Sequence, residues 1–160
     1  MSCEIPISPL ELARSAVQTA APSFGLETSP INLRGAAELE QAMATFARQP
    51  NGGLVVTSSG LAITHRATIV VQAAKLKLPA IYYSRPFVSA GGLISFGSDR
   101  VEQFRSAAVY VDRILKGEKP SDLPVQNPTK YELAINLKTA KALGLSIGPA
   151  LLARANEVIE

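Results

Sequence analysis

Cysteine occurs once in the 160 residues, at Cys3, so neither an internal disulfide nor a cysteine-built metal centre is available. Its place in a terminal segment expected to fray makes it incidental. Histidine also occurs once. His65 sits beside Arg66 with no second histidine, cysteine or carboxylate at ligand spacing, so it reads as a surface residue and no metal is expected. No apolar run approaches the roughly 18 residues of a membrane-crossing helix. The opening MSCEIPISPLELARS lacks the basic start and apolar core of a signal peptide, so a chain complete as given is expected to be cytoplasmic. Charge of either sign is thin: 16 basic against 13 acidic residues leave +3, and the basic residues are scattered. A nucleic-acid footprint needs clustered charge, so none is expected. GxxxxGK[ST], GxGxxG and GxSxG are all missing, which removes the phosphate loop, the dinucleotide loop and the hydrolase elbow. There is no internal repeat, low-complexity stretch or helix-turn-helix.

With 47% hydrophobic and 18% charged residues, the chain has the composition of a folded domain, long enough for one core. Helical spacing at Leu10, Ala13, Val17 and Ala20 predicts a helix from Pro9 to Ala21, with Ser8 as its cap and Gly25 as its stop. Leu26–Leu33 reads as a strand, with Pro30 suggesting an edge or bulge. Gly35–Arg48 is an amphipathic helix through Leu39, Ala42, Met43 and Phe46. After the Pro50–Gly53 turn, Leu54-Val55-Val56 reads as a strand buried on both faces. A single helix follows to about Lys77, with Ile63, Ala67, Val70 or Val71, and Ala74 inward. Leu78–Tyr83 is the next strand, and a short helix ends at Ala90-Gly91-Gly92.

The longest ordered pattern runs from Gly91 to Leu145. Leu93, Ile94 and Phe96 form a strand that Gly97-Ser98-Asp99 stops. Val101, Phe104, Ala108, Val111 and Leu115 then mark one face of a helix over Asp99–Lys116. Gly117, Pro120 and Pro124 end it. Tyr131, Leu133, Ile135 and Leu137 alternate with Glu132, Ala134 and Asn136 in a further strand. Strand alternating with helix predicts an α/β fold, doubly wound, with a mostly parallel sheet.

Several runs in this stretch carry a family likeness: Arg113-Ile114-Leu115-Lys116-Gly117-Glu118-Lys119-Pro120, Asp122-Leu123-Pro124-Val125 and Pro128-Thr129-Lys130-Tyr131-Glu132-Leu133. Ile135-Asn136-Leu137-Lys138-Thr139-Ala140-Lys141-Ala142-Leu143-Gly144-Leu145 continues it, and Leu151–Ala155 with Glu157-Val158-Ile159 completes it. In these the chain resembles ABC-transporter substrate-binding proteins of the tryptophan/tyrosine-uptake type. The resemblance implies one lobe of a periplasmic-binding-protein-like (type I) fold, residues 1–160, about the C-terminal half of such a receptor. It implies a periplasmic setting, an amino-acid-like ligand, no cofactor, and an ABC permease as partner. Residues 97–128 would be the crossover helix and hinge segment normally packed on the first lobe. Without that lobe the Val101–Val111 stripe is a sticky patch, so a homodimer is expected. The alternative is a truncated, non-transporting dimeric module for ligand sensing or interaction.

Ligands of open α/β sheets sit beyond the carboxyl ends of the strands, which selects three loops. Thr57-Ser58-Ser59-Gly60 offers hydroxyls and helix-start amides to a carboxylate or phosphate, or Ser58 or Ser59 simply caps the helix. Tyr83-Ser84-Arg85-Pro86-Phe87 offers stacking rings and the Arg85 fork, unless the rings are core and Arg85 is merely exposed. Ser98 and Asp99 either cap the long helix or accept an amine. Asp99 is the one well-placed loop carboxylate, and no nucleophile–base pair or carboxylate pair is apparent, so an enzyme is not expected.

Overall fold

The computed structural model describes residues 9–31 and 35–160. Cys3, Ile5-Pro6-Ile7, the Ser8 cap, Leu33 and Arg34 lie outside the described residues. Helix α1 (Pro9–Ala20) runs into a 3-10 turn at Ala21–Phe24, which Gly25 ends by donating its N–H to the Pro22 carbonyl at 3.0 Å. The strand expected at Leu26–Leu33 does not form over 26–31. Leu26 and Ile31 are exposed there, and Pro30 has no N–H to give a ladder. Helix α2 (Ala36–Phe46) buries Leu39 and Met43, as its spacing predicts.

Five strands follow in sheet order 1-2-3-4-5: β1 (Leu54–Val56), β2 (Ala80–Tyr82), β3 (Ile94–Ser98), β4 (Tyr131–Asn136) and β5 (Glu157–Ile159). The β1–β2, β2–β3 and β4–β5 pairings are parallel, and β3–β4 is antiparallel. The architecture is the α/β, mostly parallel one the alternation predicts. One detail differs: β1 is an edge strand rather than one buried on both faces, and Val55 is 57% exposed.

The connection from β1 to β2 is two helices where one was expected: α3 (Gly60–Thr64) and α4 (Arg66–Lys75). His65, at φ −102° and ψ 23°, ends the first and starts the second. The two helices nevertheless keep one phase, with buried residues Ala62, Ile69 and Ala73 at steps of seven and four. Ala62, Ile69, Val70 and Ala73 are buried, while Ile63, Ala67 and Ala74 face outward. Together with Leu39, Met43, Ala80, Tyr82 and Phe87 they form the core, with Leu54, Val56, Leu76 and Tyr83 packed around it.

Helix α5 (Arg85–Ser89) crosses back to β3 and buries Phe87 and Val88. From β3 the chain enters α6 (Arg100–Leu115), where the Asp99 carboxylate caps by accepting from the Glu102 N–H at 3.1 Å. Gly117, at φ 98°, closes the helix in the left-handed conformation that a side chain resists, and the Glu118 N–H reaches back to the Arg113 carbonyl at 3.1 Å. A 3-10 turn at Pro120–Asp122 leads through the crossover to β4.

The β4–α7 junction explains part of the family-like motif. Asn136 is buried, and its Oδ1 caps α7 (Leu137–Ala142) by accepting from the Thr139 N–H at 3.0 Å. Its Nδ2 donates to the Val88 carbonyl at 3.4 Å. The Thr139 hydroxyl donates to the Gly91 carbonyl at 2.8 Å. A buried amide with partners at both ends ties α5, β4 and α7 into one body. After α8 (Pro149–Leu152), Asn156 does the same for the last strand, its Oδ1 accepting the Leu133 N–H at 2.9 Å and its own N–H donating to the Leu133 carbonyl at 2.8 Å.

Candidate ligand site at the carboxyl ends of the strands

The parallel register brings the three loops to one end of the sheet. Val56 stands beside Tyr82, so Thr57 and Tyr83 leave neighbouring strands side by side. Gly97 of β3 lies so close to the Tyr83 carbonyl that a Cβ placed there would sit 1.9 Å from the oxygen. Because β4 runs antiparallel to β3, its first residues arrive at this same end, with Ser98 opposite Tyr131.

Ser59 is the helix cap, its hydroxyl accepting from the Ala62 N–H at 3.1 Å. Thr57 and the exposed Ser58 have no hydrogen-bond partner for their hydroxyls among the described residues. Ser84 precedes α5 without capping it by its side chain, and the Ser98 hydroxyl is likewise unengaged. Tyr83 is half-buried, edge-on to Phe87 with ring centroids 5.4 Å apart.

Two expected contacts are placed elsewhere. Phe87 is 1% exposed and stacked on Tyr82 at 4.8 Å, so its ring belongs to the core rather than to a ligand surface. A one-turn helix after a strand turns its third residue back onto the sheet. Arg85 is exposed but turns its fork away to Glu157 of β5: Nη2 donates to Oε1 at 2.8 Å, and Nε donates to Oε2. That ion pair raises the Arg85 pKa further, and the hydrogen bonds from Arg85 lower that of Glu157 despite partial burial. The two residues are far apart in sequence, so no local signal reveals the pair.

Asp99 is buried and committed. Its pKa is lowered, first by the Glu102 N–H, then by Lys130, whose Nζ lies 3.4 Å from Oδ2. Glu118 is lowered in the same direction by the hydrogen bond from Arg113. A carboxyl held below its ordinary pKa stabilises the fold fully above the ordinary carboxylate range, and that contribution is lost as pH falls through the lowered value. Urea midpoints measured at neutral pH and at about pH 3 are expected to separate more for the wild type than for Asp99→Asn. Equal separations would show that Asp99 carries none of the acid sensitivity.

Sequence reasoning misses an aromatic pair beside the loops. Phe96 and Tyr131 stack at 5.4 Å with 11° between planes, both about half exposed. The β3–β4 register brings them together, and adjacent loops in sequence do not show it. The small apolar recess lined by Val70, Ala73, Leu78, Gly92 and Leu143 shares no residue with the three loops. No group of three or more metal-ligating side chains occurs among the described residues, and no described helix is long and apolar enough to cross a membrane.

An α/β lobe that collects hydroxyls and aromatic rings at the carboxyl ends of its strands, with its best-placed acid spent on a cap, has the architecture of a binding lobe. A family model described as ABC transporter substrate binding protein matches residues 10–159, and the chain belongs to that family. No curated relative matches it. Among solved structures, a conserved domain protein from Vibrio cholerae is 24% identical, with a TM-score of 0.82 over 92% of this chain and 49% of that one. The ABC domain from Streptococcus pneumoniae in complex with L-Trp is 23% identical, with a TM-score of 0.85 over 94% and 50%. A ligand-free, open substrate-binding protein with adhesive properties from Clostridium difficile is 20% identical, with a TM-score of 0.67 over 98% and 51%. At these identities the likeness shows the fold. The chain spans about half the length of the structures it matches.

Proposed function

We propose that this chain is a solute-binding lobe of an ABC-type importer, taking a small amino-acid-like molecule of the tryptophan/tyrosine class for delivery to a permease. Its work is recognition rather than catalysis. The observation that carries the reading is the convergence of four unengaged hydroxyls, Thr57, Ser58, Ser84 and Ser98, at the carboxyl end of the sheet. The L-Trp held by the Streptococcus pneumoniae relative supports the ligand class. With the Arg85 fork on Glu157, a ligand carboxylate is met by hydroxyls and backbone N–H groups, and the half-exposed rings of Tyr83, Phe96 and Tyr131 give stacking area. The lobe supplies one wall of a cleft, and residues 97–128 form the crossover that joins it to a second.

The test is a thermal-shift panel of L-tryptophan, L-tyrosine, other amino acids and simple carboxylates. A ligand at one hundred times its Kd adds about 2.7 kcal/mol, a shift of several degrees in a domain of this size. The Thr57→Ala/Ser84→Ala double variant is expected to weaken binding about tenfold, the size of one or two lost hydrogen bonds. A flat panel on folded protein overturns the reading for this lobe by itself.

A further inference from the structure

Five charged side chains meet around the first residues of β4, and they pair unevenly. Arg85 spends its fork on Glu157, and the Lys130 ammonium lies 3.4 Å from the Asp99 carboxylate. Glu132 is left over. Its carboxylate has no hydrogen bond and no ion pair among the described residues, and it acts on Arg85 only through the field of its charge. Two cations against three carboxylates leave this corner one negative charge in surplus, and the surplus sits on Glu132.

The strand register says what surrounds it. Glu132 stands directly opposite Gly97, and it precedes by two residues the Ala134 that pairs with Glu157, so it shares a sheet face with Glu157. Opposed residues of an antiparallel pair point to one side, with Cβ positions about 5 Å apart. On that side of Gly97 the space is taken by the Tyr83 carbonyl, whose oxygen lies 1.9 Å from where a Cβ would be. The Tyr83 oxygen and the Glu132 carboxylate are thus neighbouring acceptors that no side-chain donor bridges. Glu132 is half-buried, yet no fully enclosed side-chain oxygen among the described residues lacks a partner, so its free oxygens open outward.

Such a pair of acceptors suits a cation, and the neighbours say which kind. Ser84 follows Tyr83, and Ser98 follows Gly97, so two of the unengaged hydroxyls lie one residue from the same corner. An α-amino acid carries its ammonium and its carboxylate on one carbon. A site that reads both ends must therefore place acceptors for three N–H donors beside donors for a carboxylate. We propose that Glu132 accepts the α-ammonium group of the ligand, so that this corner selects free amino acids over carboxylic acids that lack the amine. The proposal rests on the amino-acid reading of the hydroxyl site and supplies its second pole. Asp99, the acid that sequence reasoning offers for an amine, is unavailable because it caps α6 and holds Lys130.

Isothermal titration with L-tryptophan and with indole-3-propionate, the same molecule without its ammonium group, tests it. The wild type is expected to bind tryptophan at least tenfold more tightly, the size of one charge-assisted hydrogen bond. Glu132→Gln keeps the shape and removes the charge. Its tryptophan affinity is expected to fall at least tenfold while its indole-3-propionate affinity holds within about twofold, which a general disturbance of the lobe would not give. Circular dichroism checks the fold, and Glu132→Ala carries the same expectation should Glu132→Gln misfold. Equal tryptophan affinity in the wild type and a folded variant overturns the proposal and leaves the amino-acid reading standing. A wild type that binds both probes alike does the same. Binding of neither probe by the folded wild type overturns the proposal and the amino-acid reading together.

Discussion

Phe87→Ala is expected to lower the unfolding free energy by about 3–5 kcal/mol, the usual cost of removing a fully buried aromatic ring. The ring is 1% exposed and makes contacts on two sides: a stack on Tyr82 at 4.8 Å and an edge contact with Tyr83 at 5.4 Å. Tyr82 cannot collapse into the gap without abandoning β2. Denaturant unfolding gives the free energy, and Phe87→Leu, which keeps most of the volume, is expected to lose about 1–1.5 kcal/mol. A second signal comes from Tyr82. Its hydroxyl pKa is raised to about 12 by burial. A raised value means that the stability tied to the neutral phenol is intact below about 10 and is lost as pH rises toward 12. The cavity left by Phe87 admits water, so alkaline titration of the variant is expected to bring Tyr82 back toward its ordinary value. A loss below about 1 kcal/mol with the Tyr82 titration unmoved would mean that the Tyr82–Phe87–Tyr83 cluster is not the keystone described here.

The second large effect is expected at Gly97. Strand β3 passes the Tyr83 carbonyl so closely that an alanine Cβ would stand 1.9 Å from the oxygen and 3.0 Å from its carbon. The obstacle is backbone, which has no rotamer to change. Gly97→Ala must therefore part β3 from the Tyr83–Ser84 segment, at a cost of roughly 2–4 kcal/mol, in the range of overpacking and lost ladder bonds together. The distinguishing readout is binding. A shift of that segment moves Tyr83 and Ser84 relative to Thr57, so affinity for an amino-acid ligand is expected to fall at least tenfold even where the variant remains folded. Full affinity in a folded Gly97→Ala protein would show that the 83–84 segment makes no ligand contact.

Much of this fold is legible in the residue order. Strands β1 to β4 and helices α1, α2, α5 and α6 lie close to where apolar spacing, caps and stops place them, because those signals act within a few residues; α8 and β5 are not placed by such signals, and Leu137, read with the strand, begins α7. The misses have physical causes. Leu26–Leu33 has strand-like residues, but a strand exists only through a partner, and the sequence does not display partners. The Gly60–Lys77 helix is broken at His65 by a local choice of backbone angle, and its inward face runs through Ala62, Ile69 and Ala73 rather than Ile63, Ala67 and Ala74, because a helix apolar on both sides does not say which side meets the sheet. At the site, Ser59 and Asp99 as caps were readable from their own neighbours. The Arg85–Glu157 pair and the Phe96–Tyr131 stack were not, since each joins residues that only the folded sheet makes adjacent.

The antiparallel join between β3 and β4 has a mechanical consequence. The chain leaves the sheet at Ser98 and re-enters at Tyr131 directly opposite, and the Asp99 N–H meets the Lys130 carbonyl at 2.9 Å across the gap. Everything from Arg100 to Thr129 is thus strung from two adjacent points, like the tip of an enlarged hairpin. Tension applied to that tip loads the β3–β4 ladder at its open end and peels its bonds one after another, beginning with the Asp99–Lys130 bond. Tension along the strands would have to shear the whole register together. The lobe is therefore compliant to a pull on its excursion and stiff to a pull on its sheet.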